Sequence, residues 1–193
     1  MKSFVLTMMG TAPMLVHNAQ LSDPLNKWAK EMKKISSKRT KTEDDHLEMS
    51  RLEFYGGMYY DTDLGPVIPA MNIEATLVNG AKKIKLGKAV TQGLRITDQV
   101  TPIIYKGPRD MAGLWGDGES EFVNRASVKV GMARVMRTRP MFTNWALEVS
   151  GVYDESIFDE DIINEICQYS GTLIGIGDWR PRFGTFTHEL EVK

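Results

Sequence analysis

The chain of 193 residues is 42% hydrophobic and 25% charged, with 24 basic side chains against 25 acidic and a net charge of −1. This is ordinary globular composition, enough for one domain with a real core, and no run approaches the eighteen apolar residues that would cross a membrane. The lone Cys167 excludes an internal disulfide, and the histidines at 17, 46 and 188 lack metal-ligand spacing, so neither metal nor cofactor is expected. The opening Met-Lys-Ser-Phe-Val-Leu-Thr-Met-Met turns polar too soon for a signal peptide, which points to the cytoplasm.

Residues 3–9 read as a strand broken between Gly10 and Pro13, with 14–17 a second short extended piece. Ser22-Asp23-Pro24 predicts a helix start, Ser or Asp capping and Pro in the first turn. Leu25, Trp28, Ala29, Met32 and Ile35 then share one face. A polar link at 36–41 follows, expected to be mobile. Thr42 and Asp45 predict a capped second helix, stopped at Gly56-Gly57. Val67-Ile68-Pro69 leads into a third helix over 72–84, striped by Ile73, Leu77, Val78, Ala81 and Ile84. Residues 90–105 read as β and 107–118 as loop, with strands at 126–137 and 145–153. Asp159 caps a last helix that ends at Gly171, and a glycine-rich turn over 175–184 leads to a strand at 185–192. The chain thus reads as a single α+β domain over 1–193 with a basic helical insertion at about 22–57. Strands 3–9, 126–137, 145–153 and 185–192 are expected in one antiparallel sheet, covered by the helices at 72–84 and 160–170.

The near-zero net charge conceals segregation. Residues 27–41 hold Lys27, Lys30, Lys33, Lys34, Lys38, Arg39 and Lys41 against Glu31 alone. Residues 75–97 have no acid but carry Lys82, Lys83, Lys85, Lys88 and Arg95, and 124–147 have none but carry Arg125, Lys129, Arg134, Arg137 and Arg139. A polyanion responds to such local fields, though a charged face is also what solvent exposure alone produces. Arg137 and Arg139 share a face of an extended segment, for phosphate or for salt bridges to the acidic last helix. In the glycine turn, Trp179 stands beside Arg180 and Arg182. An indole that stacks on a base beside guanidiniums that reach phosphate suits a single strand; a Trp179 plugging the core is the other reading. Asp44-Asp45 and 159–161 fall in helix first turns, where capping accounts for the carboxylates. No nucleophile–base pair emerges, so no catalytic residue is assigned and the chain is read as a non-enzyme.

The segment Pro66-Val-Ile-Pro69-Ala-Met-Asn-Ile-Glu-Ala-Thr-Leu-Val-Asn-Gly-Ala-Lys-Lys83 resembles the strand, Ile-Pro and amphipathic helix of the RAMP superfamily, the CRISPR-associated RNA-binding subunits. Gly171, Gly175, Gly177 and Gly184 resemble that family's glycine-rich turn before the last strand, and Gly10-Thr-Ala-Pro-Met-Leu its first strand and loop. The layout is also similar to bacteriophage proteins ending in Gly-Asp-Trp-Arg-Pro. The resemblance implies a ferredoxin-like, RRM-type antiparallel sheet with helices on one face, a single-stranded DNA or RNA partner, and an oligomer along that strand. It implies no cleavage: the family's Gly-Ser-Ser-Leu-Lys-Gly run appears as Ala70-Met-Asn-Ile-Glu-Ala75, no histidine stands where the endonuclease branch has one, and Asp23 does not match. The residues assigned to the strand are Lys33, Lys34, Lys38, Arg39, Lys82, Lys83, Lys85, Lys88, Arg137, Arg139, Trp179, Arg180 and Arg182. The alternative is a protein-binding module, a phage assembly or anti-defence factor that uses the same fold.

Overall fold

A computed structural model describes residues 1–193. In chain order its elements are β1 (Lys2–Gly10), β2 (Met14–Leu15), α1 (Lys27–Ser36), α2 (Glu43–Gly57), β3 (Tyr60–Asp61), β4 (Gly65–Pro69), α3 (Ala70–Ala81), α4 (Gly87–Gly93), β5 (Leu94–Ile96), β6 (Val100–Pro102), α5 (Met111–Trp115), β7 (Val123–Val130), β8 (Ala133–Phe142), β9 (Ala146–Tyr153), α6 (Glu160–Tyr169) and β10 (Phe186–Val192). The chain divides into two compact units, one of Met1–Met14, Pro66–Lys106 and Thr143–Lys193, the other of Leu15–Gly65 and Gly107–Phe142.

In the first unit the strand order is β10-β1-β9-β5, with every neighbour antiparallel. α3 lies in the connection from β1 to β5, and α6 in that from β9 to β10. Reduced to these six elements, the unit is βαββαβ with sheet order 4-1-3-2, the ferredoxin-like arrangement. Period-two alternation on β1 sends Phe4, Leu6 and Met8 into the core, all at most 1% exposed. Leu147 and Val149 of β9 are buried likewise. Ile73, Leu77 and Ala81 of α3 and Ile163, Ile166 and Cys167 of α6 supply the buried helical stripes. A short antiparallel pair, β4 with β6, completes the unit, Ile68 facing Thr101.

The second unit is built on α1, α2, α5 and the β7–β8 hairpin. Thr42 accepts from the Asp45 amide while Asp45 accepts from that of Thr42, so the expected capping box starts α2. Trp28 meets Tyr55 edge-on at 5.5 Å and Phe54 meets Trp115 at 5.3 Å, tying α2 to α1 and α5. Glu53, nearly buried on α2, accepts from the Thr138 amide at 2.8 Å and from Arg137 at 3.2 Å, which fixes the hairpin to the helix. The helical segment at 22–57 falls in this unit, which also takes in 107–142.

Five expectations change, one of them that 107–118, read as loop, holds helix α5 behind an Asp110 cap. Residues 126–137 are not one strand of the main sheet: the chain turns at Gly131 (φ 61°) and Met132, and both arms belong to the hairpin of the second unit. The fourth main-sheet strand is β5, inside a region read as continuous β that opens with helix α4. Helix α1 starts after an Asn26 cap; Asp23 accepts from the Leu25 amide in a turn of its own, and Leu25, 74% exposed, lies off the apolar face. The last helix does not stop at Gly171 but widens into a π turn over Ser170–Ile174, closed by Gly175 at φ 75°.

Candidate nucleic-acid interface

RRM-type sheets bind strands by stacking bases on aromatics of the open sheet face. The open face here presents Val5, Thr7, Met9, Glu148, Ser150, Glu189 and Glu191, with the exposed Arg95 on the edge strand β5. It carries no ring, and Glu148 and Glu189 flank Thr7 from either side. Three carboxylates against Arg95 alone disfavour a phosphate backbone there.

The glycine turn carries an exposed ring that this face lacks. Two buried hydroxyls pin it to α3: Thr76 donates to the carbonyls of Asn72 (3.0 Å) and Gly175 (3.3 Å), and Ser170 to those of Ile166 (2.7 Å) and Thr76 (3.3 Å). Gly175 and Gly184 both adopt φ 75°, where a side chain is strained, and a Cβ on Gly184 would collide with the Ile176 carbonyl. The Ile176 amide donates to the Gly184 carbonyl at 2.8 Å, and that of Gly184 to Pro13 at 2.8 Å. Ile176, fully buried, is therefore the side chain that plugs the core. Trp179 is 47% exposed, its backbone held at φ 54°, a costly conformation for so large a residue. Its ring lies 5.6 Å from that of Phe183.

Between this turn and the end of α3 lies a groove of about 680 Å³, lined by Asn79, Lys82, Lys83, Leu173, Ile174, Gly177, Asp178, Trp179, Arg180 and Pro181. The apolar stripe of α3 faces the core, which leaves Asn79 and the turn at Lys82–Ile84 toward solvent. Lys82 Nζ donates to Asn79 Oδ1 at 2.9 Å, and Arg180 donates to the Gly175 carbonyl at 3.4 Å. Three cations and a half-exposed indole thus share one groove, with Asp178 as its one lining acid.

Of the assigned residues, Lys82, Lys83, Trp179 and Arg180 converge here. Lys85, at φ 63° after the α3 turn, Lys88 on α4 and Arg182 are exposed in the same unit without lining the groove. The rest lie in the second unit. Lys33 and Lys34 occupy the last turn of α1, Lys34 pairing with Glu31 at 2.6 Å, and Lys38 pairs with Asp45 at 2.6 Å while Arg39 is exposed. Lys38 holds the Asp45 carboxyl below its ordinary range, helped by the Thr42 amide. Arg137 pairs with Glu53 of α2, not with the acidic last helix, and Arg139 is half-buried two residues on. Asn79, Leu173 and Ile174 were not singled out from sequence. Asn79 carried a signal, since it lies one helical turn before Lys82 and Lys83; the π turn that presents Leu173 and Ile174 left none.

Burial pushes the Cys167 thiol up to about 12, where it stays protonated. His188 shares a 2.9 Å hydrogen bond with Asn164, and partial burial lowers its pKa. No three His, Cys, Asp or Glu side chains converge as a metal site, and no helix is long and apolar enough to cross a membrane.

No family model matches the sequence, and no curated protein matches it. Among solved structures the chain is similar to one in "Cryo-EM structure of the Type III-B Cmr-beta bound to cognate target RNA", at 13% identity and a TM-score of 0.49, over 99% of this chain. It spans 61% of that chain's length. The ferredoxin-like assignment rests on the strand order itself.

Proposed function

We propose that this protein binds a single nucleic-acid strand without cleaving it, in the groove between the glycine turn and the end of α3, with copies arrayed along the strand. The observation that carries the reading is the convergence of Trp179, Lys82, Lys83 and Arg180 in one groove. Trp179 is the stacking platform: φ 54° and half exposure hold a bulky ring where core packing does not require it. Lys82, Lys83 and Arg180 neutralise phosphates on either side. The resemblance of 66–83 and of the glycine turn to RAMP subunits supports the same reading, and so does the ferredoxin-like order.

Labelled single-stranded DNA and RNA, titrated onto nuclease-treated protein at low salt, test it. Wild type should bind at least one of them. Trp179→Ala should weaken binding by about 5- to 150-fold, the loss of 1–3 kcal/mol of stacking, and leave the salt dependence nearly unchanged. No binding to either strand, or a folded Trp179→Ala protein that binds as wild type, removes the reading. A protein-binding role on the same fold then takes its place, favoured by the three glutamates of the open sheet face.

A further inference from the structure

The four-stranded sheet of the first unit leaves one long edge open. β10 is its outermost strand beside β1, and the ladder between them fixes which backbone groups face outward. The Lys193 amide donates to the Ser3 carbonyl at 2.8 Å, and the Thr11 amide to that of Thr185 at 2.8 Å. In the register that pairs Val5 with Glu191 and Thr7 with Glu189, the odd-numbered residues of β10 therefore exchange bonds with β1. The amides and carbonyls of His188, Leu190 and Val192 point the other way, and no other element of the chain bonds to them. Near Phe186 the edge is closed, because Gly171 of the π turn lies so tightly against the Phe186 carbonyl that a Cβ there would clash. From His188 onward three amides and three carbonyls stand unpaired.

The side chains of this strand alternate in character. Glu189 and Glu191 are exposed on the open face, while His188, Leu190 and Val192, half-buried, lie on the helix-covered face beside Met8, Leu6 and Phe4. Neither glutamate has a cation in ion-pair contact. Sheet edges are commonly blunted by Pro, a bulge or charge. β10 has no Pro, and its register runs unbroken from Phe4↔Val192 to Gly10↔Phe186. Only the charge remains, and it is of one sign on one face. Such an edge repels neutral and acidic strands and admits a basic one.

We propose that this edge takes an extended segment of another protein as a fifth, antiparallel strand, with lysine or arginine at alternate positions and apolar residues between them. The outward amides and carbonyls supply the main-chain bonds, and the two side-chain rows supply the selectivity. Opposite Glu189 and Glu191 the incoming residues form the non-hydrogen-bonded pairs, with Cα atoms about 4.5 Å apart, where opposite charges meet closely. The residues between them lie beside His188, Leu190 and Val192, where apolar side chains extend the half-buried row. A second copy offering the same edge is disfavoured. Two β10 strands paired about Leu190 would set Glu189 against Glu191 twice, and like charges directly opposite destabilise a sheet. The same carboxylates disfavour a phosphate backbone, which separates this edge from the strand groove. At the other end of the sheet β5 is three residues long and offers no comparable ladder.

The probe is a peptide of alternating lysine and valine matched to the 7 residues of β10, added to the full chain stripped of nucleic acid. Amide hydrogen exchange gives the readout. In the free protein the amides of His188, Leu190 and Val192 should exchange freely, and the peptide should slow them by about 10-fold or more. N-methylation of the peptide's valines blocks the N–H groups that face the edge and should abolish binding, whereas N-methylation of its lysines should not. Leu190→Pro removes one outward N–H, a change that an edge strand tolerates, and should abolish binding too. The double reversal Glu189→Lys with Glu191→Lys, at exposed positions, decides the matter without a proline. It should weaken the lysine peptide by about 10-fold or more and transfer the preference to a glutamate–valine peptide. No protection at about 1 mM peptide, or equal binding of the valine-methylated peptide, would overturn the proposal, the second because charge alone then attracts. It also falls if the three amides become protected without peptide as protein concentration rises, since a second copy then holds the edge. None of these residues lines the strand groove, so the result stands apart from the test at Trp179.

Discussion

Glu53 shows how one side chain can settle what a charge pattern leaves open. Arg137 was legible as a cation on an extended face, but a two-residue period cannot say which acid meets it. The answer is a nearly buried carboxylate on α2 that also accepts the Thr138 amide. Removing that acceptor strands a buried N–H group, which costs about 1–3 kcal/mol. Glu53→Ala should therefore lower the denaturation midpoint by that equivalent, and Glu53→Gln, which keeps an amide oxygen for Thr138, should lose less. Equal losses in the two variants would mean that the charge, not the acceptor, holds the hairpin. Trp179 had two readings in sequence, and the core-plug one is removed by Ile176, three residues earlier, which takes that place. Both are large and apolar, and only the backbone of the turn shows which of them points inward.

Among the elements, those with local chemistry were legible. The Thr42–Asp45 capping box, the α3 stripe and the alternation of β1 each lie within one short window, and each folds as that window implies. The hairpin was not. Gly131 and Met132 sit inside a run of alternating side chains without the Asn-Gly or Pro that usually marks a turn, so two strands read as one. Helix α1 was misplaced at its start because Asp23-Pro24 is a stronger local signal than Asn26. The link at 36–42 tests the element scale directly. Its side chains are mostly exposed, and it is held by the Lys38–Asp45 pair and by Lys41 donating to the Lys38 carbonyl. Exposed pairs of this kind contribute little against the entropy of an ordered link. Limited trypsin digestion should cut at Lys38, Arg39 or Lys41 before Lys129 or Arg134, whose backbone is secured in the hairpin ladder. First cleavage at the hairpin would reverse that order of local stability.

At the scale of the whole molecule, the ferredoxin-like order requires strands from both ends of the chain to meet, and segregated charge does not reveal which basic segments meet with them. Three segments were legible as basic, yet only the α3 end joins the glycine turn in one groove, because Thr76 and Ser170 dock those two pieces against each other. The cations therefore should not contribute equally to binding. Each phosphate neutralised on a single strand adds about 0.7 to the slope of log K against log salt. Lys82→Ala with Lys83→Ala should reduce that slope by about 1.4 and weaken all sequences alike. Lys34 and Lys38 already have carboxylate partners at 2.6 Å, so substituting this pair should change the slope little. Lys33 and Arg39 are exposed cations with no carboxylate in ion-pair contact. If the second unit reaches the strand as well, Lys33→Ala with Arg39→Ala should lower the slope about as much as the α3 pair does. A slope unmoved by Lys82→Ala with Lys83→Ala, but reduced by the second-unit variants, would transfer the phosphate track from the glycine-turn groove to the end of α1.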